Sequence, residues 1–182
     1  LRYYAITAAI SYAVPNFLIF TVMPHLGAGY TGIMYTLSPA VTLLLSILLG
    51  VRRPNALGIA GILVGFSGAL MVALTRGEIG QPAAPFWVTL ALTIPVCLAT
   101  GNIYRTYDWP EGSNPVELAI GSHFASALIL LAGLFLFQGH ISFTPLANVP
   151  LITLAQIIAS AAMFAFYFRL QAVGGPVYLS QI

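Results

Sequence analysis

Ten formal charges, six on arginine and four on acidic residues, are almost all placed between apolar runs, each about as long as a bilayer is thick. With 5% of residues charged and 59% hydrophobic, the chain cannot cover a water-facing surface of this size. Its solvent is lipid. Runs of ~20 residues without interior charge are the signature of membrane-spanning helices.

The runs predict six spans, Tyr3–Pro24, Gly29–Gly50, Asn55–Leu74, Phe86–Tyr104, Pro115–Phe137 and Val149–Ala172, with a further apolar segment opening at Pro176. The chain begins at Leu1 without the charged n-region and cleavage site of a signal peptide, so it reads as an internal fragment of a larger protein. A transmembrane β-barrel would alternate polar and apolar residues. Stretches such as Ala125–Phe137 do not. The lone Cys97 lies within an apolar run, which leaves no disulfide framework and no CxxC pair. A formal charge of +2 with no lysine gives no footprint for nucleic acid.

Threading the chain through these spans puts Arg2, Arg52, Arg53, Arg105 and Arg169 on one side and Arg76, beside Glu78, on the other. Arginine accumulates on the cytoplasmic side, so the first span is expected to run outward. Arg169, slightly inside its span, is expected to snorkel to the headgroups. In the third span Gly58, Gly61, Gly65 and Gly68 share one face, as close packing of membrane helices requires. That face either packs within the monomer or forms a homodimer interface. Pro15, Pro39 and Pro95 interrupt the backbone inside spans, with Asn16 and Ser38 placed to satisfy freed carbonyls.

Phe17–Gly29 resembles Phe164–Pro176: Phe17 aligns with Phe164, Phe20 with Tyr167, Leu26 with Val173, and Gly27-Ala28 with Gly174-Gly175. The copies lie an odd number of spans apart, so they would run in opposite directions. Inverted repeats are an architecture of secondary transporters, with substrate held near the midplane between halves.

Further residues resemble the EamA-type branch of the drug/metabolite transporter superfamily. They are Gly27-Ala28-Gly29, Leu37-Ser38-Pro39, the Leu48–Gly50 exit, the Arg52-Arg53 turn, and the helix with Gly61 and Gly68. Ala99 through Arg105 and Ala172 through Gly175 resemble the corresponding small-residue patterns of a second repeat. The resemblance implies an all-α bundle, part of a ten-helix fold of two inverted five-helix repeats. Residues 1–74 would be the last three helices of the first repeat, 75–85 an external linker, and 86–182 the truncated start of the second. Val51 stands where the family commonly has glutamate, which points to a divergent member. The resemblance also implies a multi-pass protein of a bacterial inner membrane.

Polar residues inside the runs are the candidates for function. Thr31, Tyr35, Ser38 and Thr42 share a face of the second span, Gln156, Ser160 and Tyr167 a face of the sixth, and Tyr12 and Asn16 a face of the first. Such faces turn toward other helices or a wet cavity. Asn16, Tyr35, Ser38, Asn102, His123, Gln156 and Tyr167 are the expected cavity residues. His123 is the member able to titrate near neutral pH and so to couple transport to protons, or it hydrogen-bonds to Ser126 or a neighbouring helix. Glu117 opens the fifth span and suits its helix dipole. HExxH, GxSxG and P-loop motifs are all missing, so no enzyme, cofactor or metal site is expected. The reading is a secondary transporter that exports or exchanges a small organic metabolite or drug-like solute. Its rivals are a non-transporting scaffold or assembly subunit and, further off, an intramembrane enzyme.

Overall fold

The computed structural model describes residues 1–50, 56–74 and 84–179, and these contain helices and no strand. Five helical runs are long and apolar enough to cross a bilayer: Arg2–Leu26, Ala28–Leu48, Pro85–Tyr107, Pro115–Gln138 and Pro150–Val177. The chain is an all-α, multi-pass membrane protein. Helix Ala56–Leu74 occupies the position of the expected third span. Val51, Arg52, Arg53, Arg76 and Glu78, with nearly all of the expected 75–85 linker, lie outside the described residues.

Three of the crossing runs are broken, Pro150–Val177 at Gly175 and the first two beside a proline. The first consists of α1 (Arg2–Thr7), a π-helical turn over Ala8–Ala13, and α2 (Val14–Leu26). Pro15 has no amide hydrogen and its ring opposes the carbonyl four residues back, so the preceding turn widens. Asn16 Nδ2 donates to the Tyr12 carbonyl at 2.8 Å, one turn back from itself, and not to the carbonyl that Pro15 leaves without a donor. The second run divides into α3 (Ala28–Thr36) and α4 (Ser38–Leu48) at Leu37, whose amide bonds Met34 O at 3.2 Å. Pro39 sits in the first turn of α4, where a missing N–H leaves nothing unsatisfied.

Beyond α5 (Ala56–Leu74), α6 (Pro85–Tyr107) carries Pro95 in its interior. Helix α7 (Pro115–Gln138) is capped at both ends. Asn114 Oδ1 accepts from Val116 N at 2.9 Å, and Gly139 closes the C-terminus with φ 72°. Glu117 lies in its first turn, and the side-chain cap is Asn114. A short α8 (Thr144–Ala147) leads to α9 (Pro150–Leu179).

Helix α6 is the hub, packed against the first run, α3, α4 and α9, while α7 packs on α1, the π turn and α9. Ile19, Val22, Leu26, Met34, Ala91 and Ile94 form one core cluster. Tyr3, Tyr12, Leu118, Ala119 and Phe168 form another near the opposite end of α6. Elsewhere α7 and α9 present leucine, isoleucine and phenylalanine outward, as lipid permits.

The glycines sort by what lies against them. Over Gly61, Gly65 and Gly68 the glycine face of α5 is open: a Cβ added at any of the three meets nothing within 4 Å among the described residues. Helix α5 touches the bundle through α3 and α4. The close approaches are at Gly101, whose added Cβ would lie 3.0 Å from Ser11 Cα, and at Gly121, where it would meet the Tyr4 ring.

The paired turns share a backbone feature. Gly27 has φ 80°, ψ 157° and Gly175 has φ 71°, ψ −176°, and a helix resumes directly after each. The matching conformations set Gly27 against Gly175, one residue from the sequence alignment with Gly174. This region of φ/ψ space is essentially glycine-only. Gly27→Ala is therefore expected to cost about 1–3 kcal/mol. Unfolding midpoints in detergent check this, with Gly29→Ala, whose Cβ meets nothing within 4 Å, as the unaffected control.

Candidate functional site

The irregular backbone of the first two runs faces one cavity of about 750 Å³, within the usual size for small-molecule sites. The first run contributes Ser11, Tyr12, Pro15 and Asn16, and the α3–α4 break contributes Tyr35, Thr36, Ser38 and Pro39. Helix α6 adds Leu98 and Asn102, and α9 adds Met163, Phe164, Phe166, Tyr167 and Leu170. The wall is largely apolar and aromatic, and two of its polar residues, Asn102 and Tyr167, are hydrogen-bonded to each other.

Behind Asn102 lies Arg105, 1% exposed and the largest fully buried side chain. Its Nε donates to Gln171 Oε1 at 2.7 Å. Its Nη2 donates to Asn102 Oδ1 at 2.5 Å and to Tyr167 Oη at 2.9 Å. Tyr167 Oη in turn donates to Asn102 Oδ1 at 3.0 Å. Gln171 Nε2 reaches the Asn102 carbonyl at 3.0 Å and Thr106 Oγ1 at 3.2 Å. The guanidinium carbon lies 5.2–5.7 Å from the ring centres of Tyr12, Tyr167 and Phe168, within cation–π range. Every one of these partners is formally neutral. The ion pair formed among the described residues is Arg2 with Asp108, 3.8 Å apart at the exposed end of α6.

Five of the seven expected cavity residues line this space: Asn16, Tyr35, Ser38, Asn102 and Tyr167. His123 does not. Its ring is packed behind the wall, 4.3 Å from the Tyr12 ring centre and 3.8 Å from that of Phe164. Its Nδ1 bonds the Ala119 carbonyl of its own helix at 2.8 Å, not Ser126. Because a carbonyl only accepts, Nδ1 carries the proton in that bond. Gln156 also lies elsewhere, exposed on α9, donating to Ser160 Oγ at 3.0 Å. Along the second run, Thr31 and Thr42 are buried, with Tyr35 half in the cavity and half exposed.

Arg105 and Gln171 are the residues that the sequence reading passed over. Arg105 was expected at the membrane surface as an orientation marker because the fourth span was ended at Tyr104. The helix instead continues to Tyr107, and Arg105 turns into the bundle. The available signal was spacing: Asn102 and Arg105 stand three apart, Tyr167 and Gln171 four apart, so each pair shares a helix face. Arg169, by contrast, is exposed, in keeping with snorkelling.

Compared with known proteins, the chain matches no protein-family model, no curated protein and no solved structure.

Proposed function

We propose that this chain forms part of a secondary transporter that moves a small organic solute across the membrane by alternating access. The observation that carries the reading is the cavity itself. It is bounded by a π turn, a split helix and two further spans, and discontinuous helices around a central site are how many carriers hold their substrates. Its mixed aromatic and hydroxyl lining suits an amphipathic organic solute better than a bare ion, which needs carbonyl or charged rings. The matched Gly27 and Gly175 turns support the inverted-repeat reading, and with it the ten-helix EamA-type fold and an inner-membrane location. Proton coupling would have to act on His123 through Tyr12 and Phe164, since His123 does not reach the cavity. The exposed glycine face of α5 suits a homodimer and also favours the rival reading of a subunit in a larger assembly.

Flux in proteoliposomes tests the proposal. Benzenesulfonate, phenylalanine and phenyltrimethylammonium are aromatic solutes of different charge that cross pure bilayers slowly. At least one is expected to equilibrate faster than in protein-free vesicles. Leu98→Trp, which fills the cavity from α6, should slow that flux about tenfold, roughly a 1.4 kcal/mol change in barrier. Rates equal to empty vesicles for all three would sink the transporter reading and leave the scaffold.

A further inference from the structure

We infer that the Asn102–Tyr167 corner of the cavity is an oxyanion subsite, and that the solute of the proposed carrier is an amphipathic organic anion bearing a carboxylate. The inference rests on the transporter reading for the word carrier, but the subsite stands on its own geometry.

A buried guanidinium in a membrane protein normally pairs with an acid or marks an ion or substrate path. Arg105 has no carboxylate within salt-bridge distance among the described residues, and its hydrogen-bond partners are an amide on α6, an amide on α9 and a phenol. Two of these, Asn102 and Tyr167, are also wall residues of the cavity. The positive charge therefore lies one side chain behind the cavity surface.

The same corner holds hydroxyls with no partner. Ser11 is 4% exposed and Tyr12 is 7% exposed, both line the cavity, and neither Ser11 Oγ nor Tyr12 Oη has a hydrogen-bond partner. Each buried hydroxyl left unpaired is unfavourable; both oxygens are closed off, Ser11 Oγ against Gly101, so each would donate to a ligand oxygen only after its side chain turns toward the cavity. The rotatable Tyr167 hydroxyl and the Arg105 guanidinium, which carries no acidic partner among the described residues, meet at Asn102 in this corner. That set complements an oxyanion and opposes a cation.

The rest of the cavity says what the anion is attached to. Pro15, Leu98, Met163, Phe164, Phe166 and Leu170 give it an apolar body. One arginine with neutral neighbours balances a single negative charge, which favours a carboxylate over a phosphate dianion.

The test is binding to the purified chain in detergent, followed as ligand-induced thermal stabilisation and by equilibrium dialysis. The probes are 3-phenylpropanoate, its amide 3-phenylpropanamide, phenyl phosphate and 3-phenylpropylammonium. The carboxylate is expected to bind at least about tenfold more tightly than the amide or the ammonium. Phenyl phosphate is expected to be weaker than the carboxylate. Phosphate binding the more tightly would overturn the carboxylate assignment. Equal binding of amide and carboxylate, or no binding of either anion up to about 10 mM, well above a millimolar Kd, would overturn the subsite. Asn102→Asp keeps the shape of the wall and gives Arg105 an internal counter-ion. It should abolish the preference for the carboxylate while the protein stays folded, and an unchanged preference would count against the subsite. Tyr167→Phe should weaken the carboxylate alone and leave the amide unaffected. Charge-selective binding without flux in vesicles would keep the subsite and discard the carrier. Flux restricted to the cationic phenyltrimethylammonium would do the reverse.

Discussion

Asn102→Leu is expected to lower the stability of the bundle by about 2–4 kcal/mol, because it takes a shared acceptor away from a buried cation. Asn102 Oδ1 accepts from both Arg105 Nη2 and Tyr167 Oη. Leucine has the same branching and heavy-atom count but is bulkier and has no oxygen, so two donors lose their partner and one of them is charged. Bonds to charged groups contribute roughly 1.5–3 kcal/mol. Polar contacts in membrane bundles often contribute less, because the unfolded chain in lipid also finds partners. The charge and burial of Arg105 keep this case toward the upper part of that range. Reversible unfolding of the purified protein in mixed micelles measures the loss.

The informative comparison is the double replacement. If the damage arises from stranding a guanidinium, Asn102→Leu combined with Arg105→Met should be less destabilised than the sum of the two single changes, by about 1–3 kcal/mol. Both the charge and its acceptor have then gone. Strict additivity would mean that Arg105 draws its stabilisation from the Tyr12, Tyr167 and Phe168 rings and not from Asn102.

How legible this was in the sequence depended on which force acted. Lipid imposes length and apolarity on every crossing helix, and so the spans were readable to within a few residues, Pro115–Phe137 against Pro115–Gln138 for instance. The same solvent drives isolated polar residues inward, and so Asn16, Ser38 and Tyr35 point to the cavity. Gln156 shows the limit: Ser160 one turn away offers it a partner on its own helix, so it need not turn inward. Arginine is ambiguous for a physical reason, since within two or three residues of a helix end it can reach the headgroups or turn into the protein. Arg169 and Arg105 take opposite choices. Asn102, three residues before Arg105, and Gln171, across on α9, make the inward choice favourable.

Glycine carries the same ambiguity between periodicity and environment, and a pair of substitutions separates the two. Spacing identifies which glycines of α5 share a face, but not whether a neighbour lies against it. Gly101 belongs to no such stripe, yet it is where α6 meets the π turn. An added Cβ there lies 3.0 Å from Ser11 Cα, a backbone atom that can move only if the first run moves. Overpacking of this kind costs about 1–3 kcal/mol, against which alanine's better helix propensity returns about 1 kcal/mol. Gly101→Ala should therefore be destabilising by up to about 2 kcal/mol, and Gly101→Val by more. It should also disturb the cavity, because Ser11 is part of its wall. Gly65→Ala meets nothing within 4 Å and should raise monomer stability by up to about 1 kcal/mol through propensity alone. Were the α5 face a homodimer interface, Gly65→Leu would shift the protein to monomer in light scattering without lowering the unfolding midpoint of the monomer. Equal losses for Gly65→Ala and Gly101→Ala would contradict the packing of α6 on the π turn, and with it the wall that places Ser11 beside Asn102.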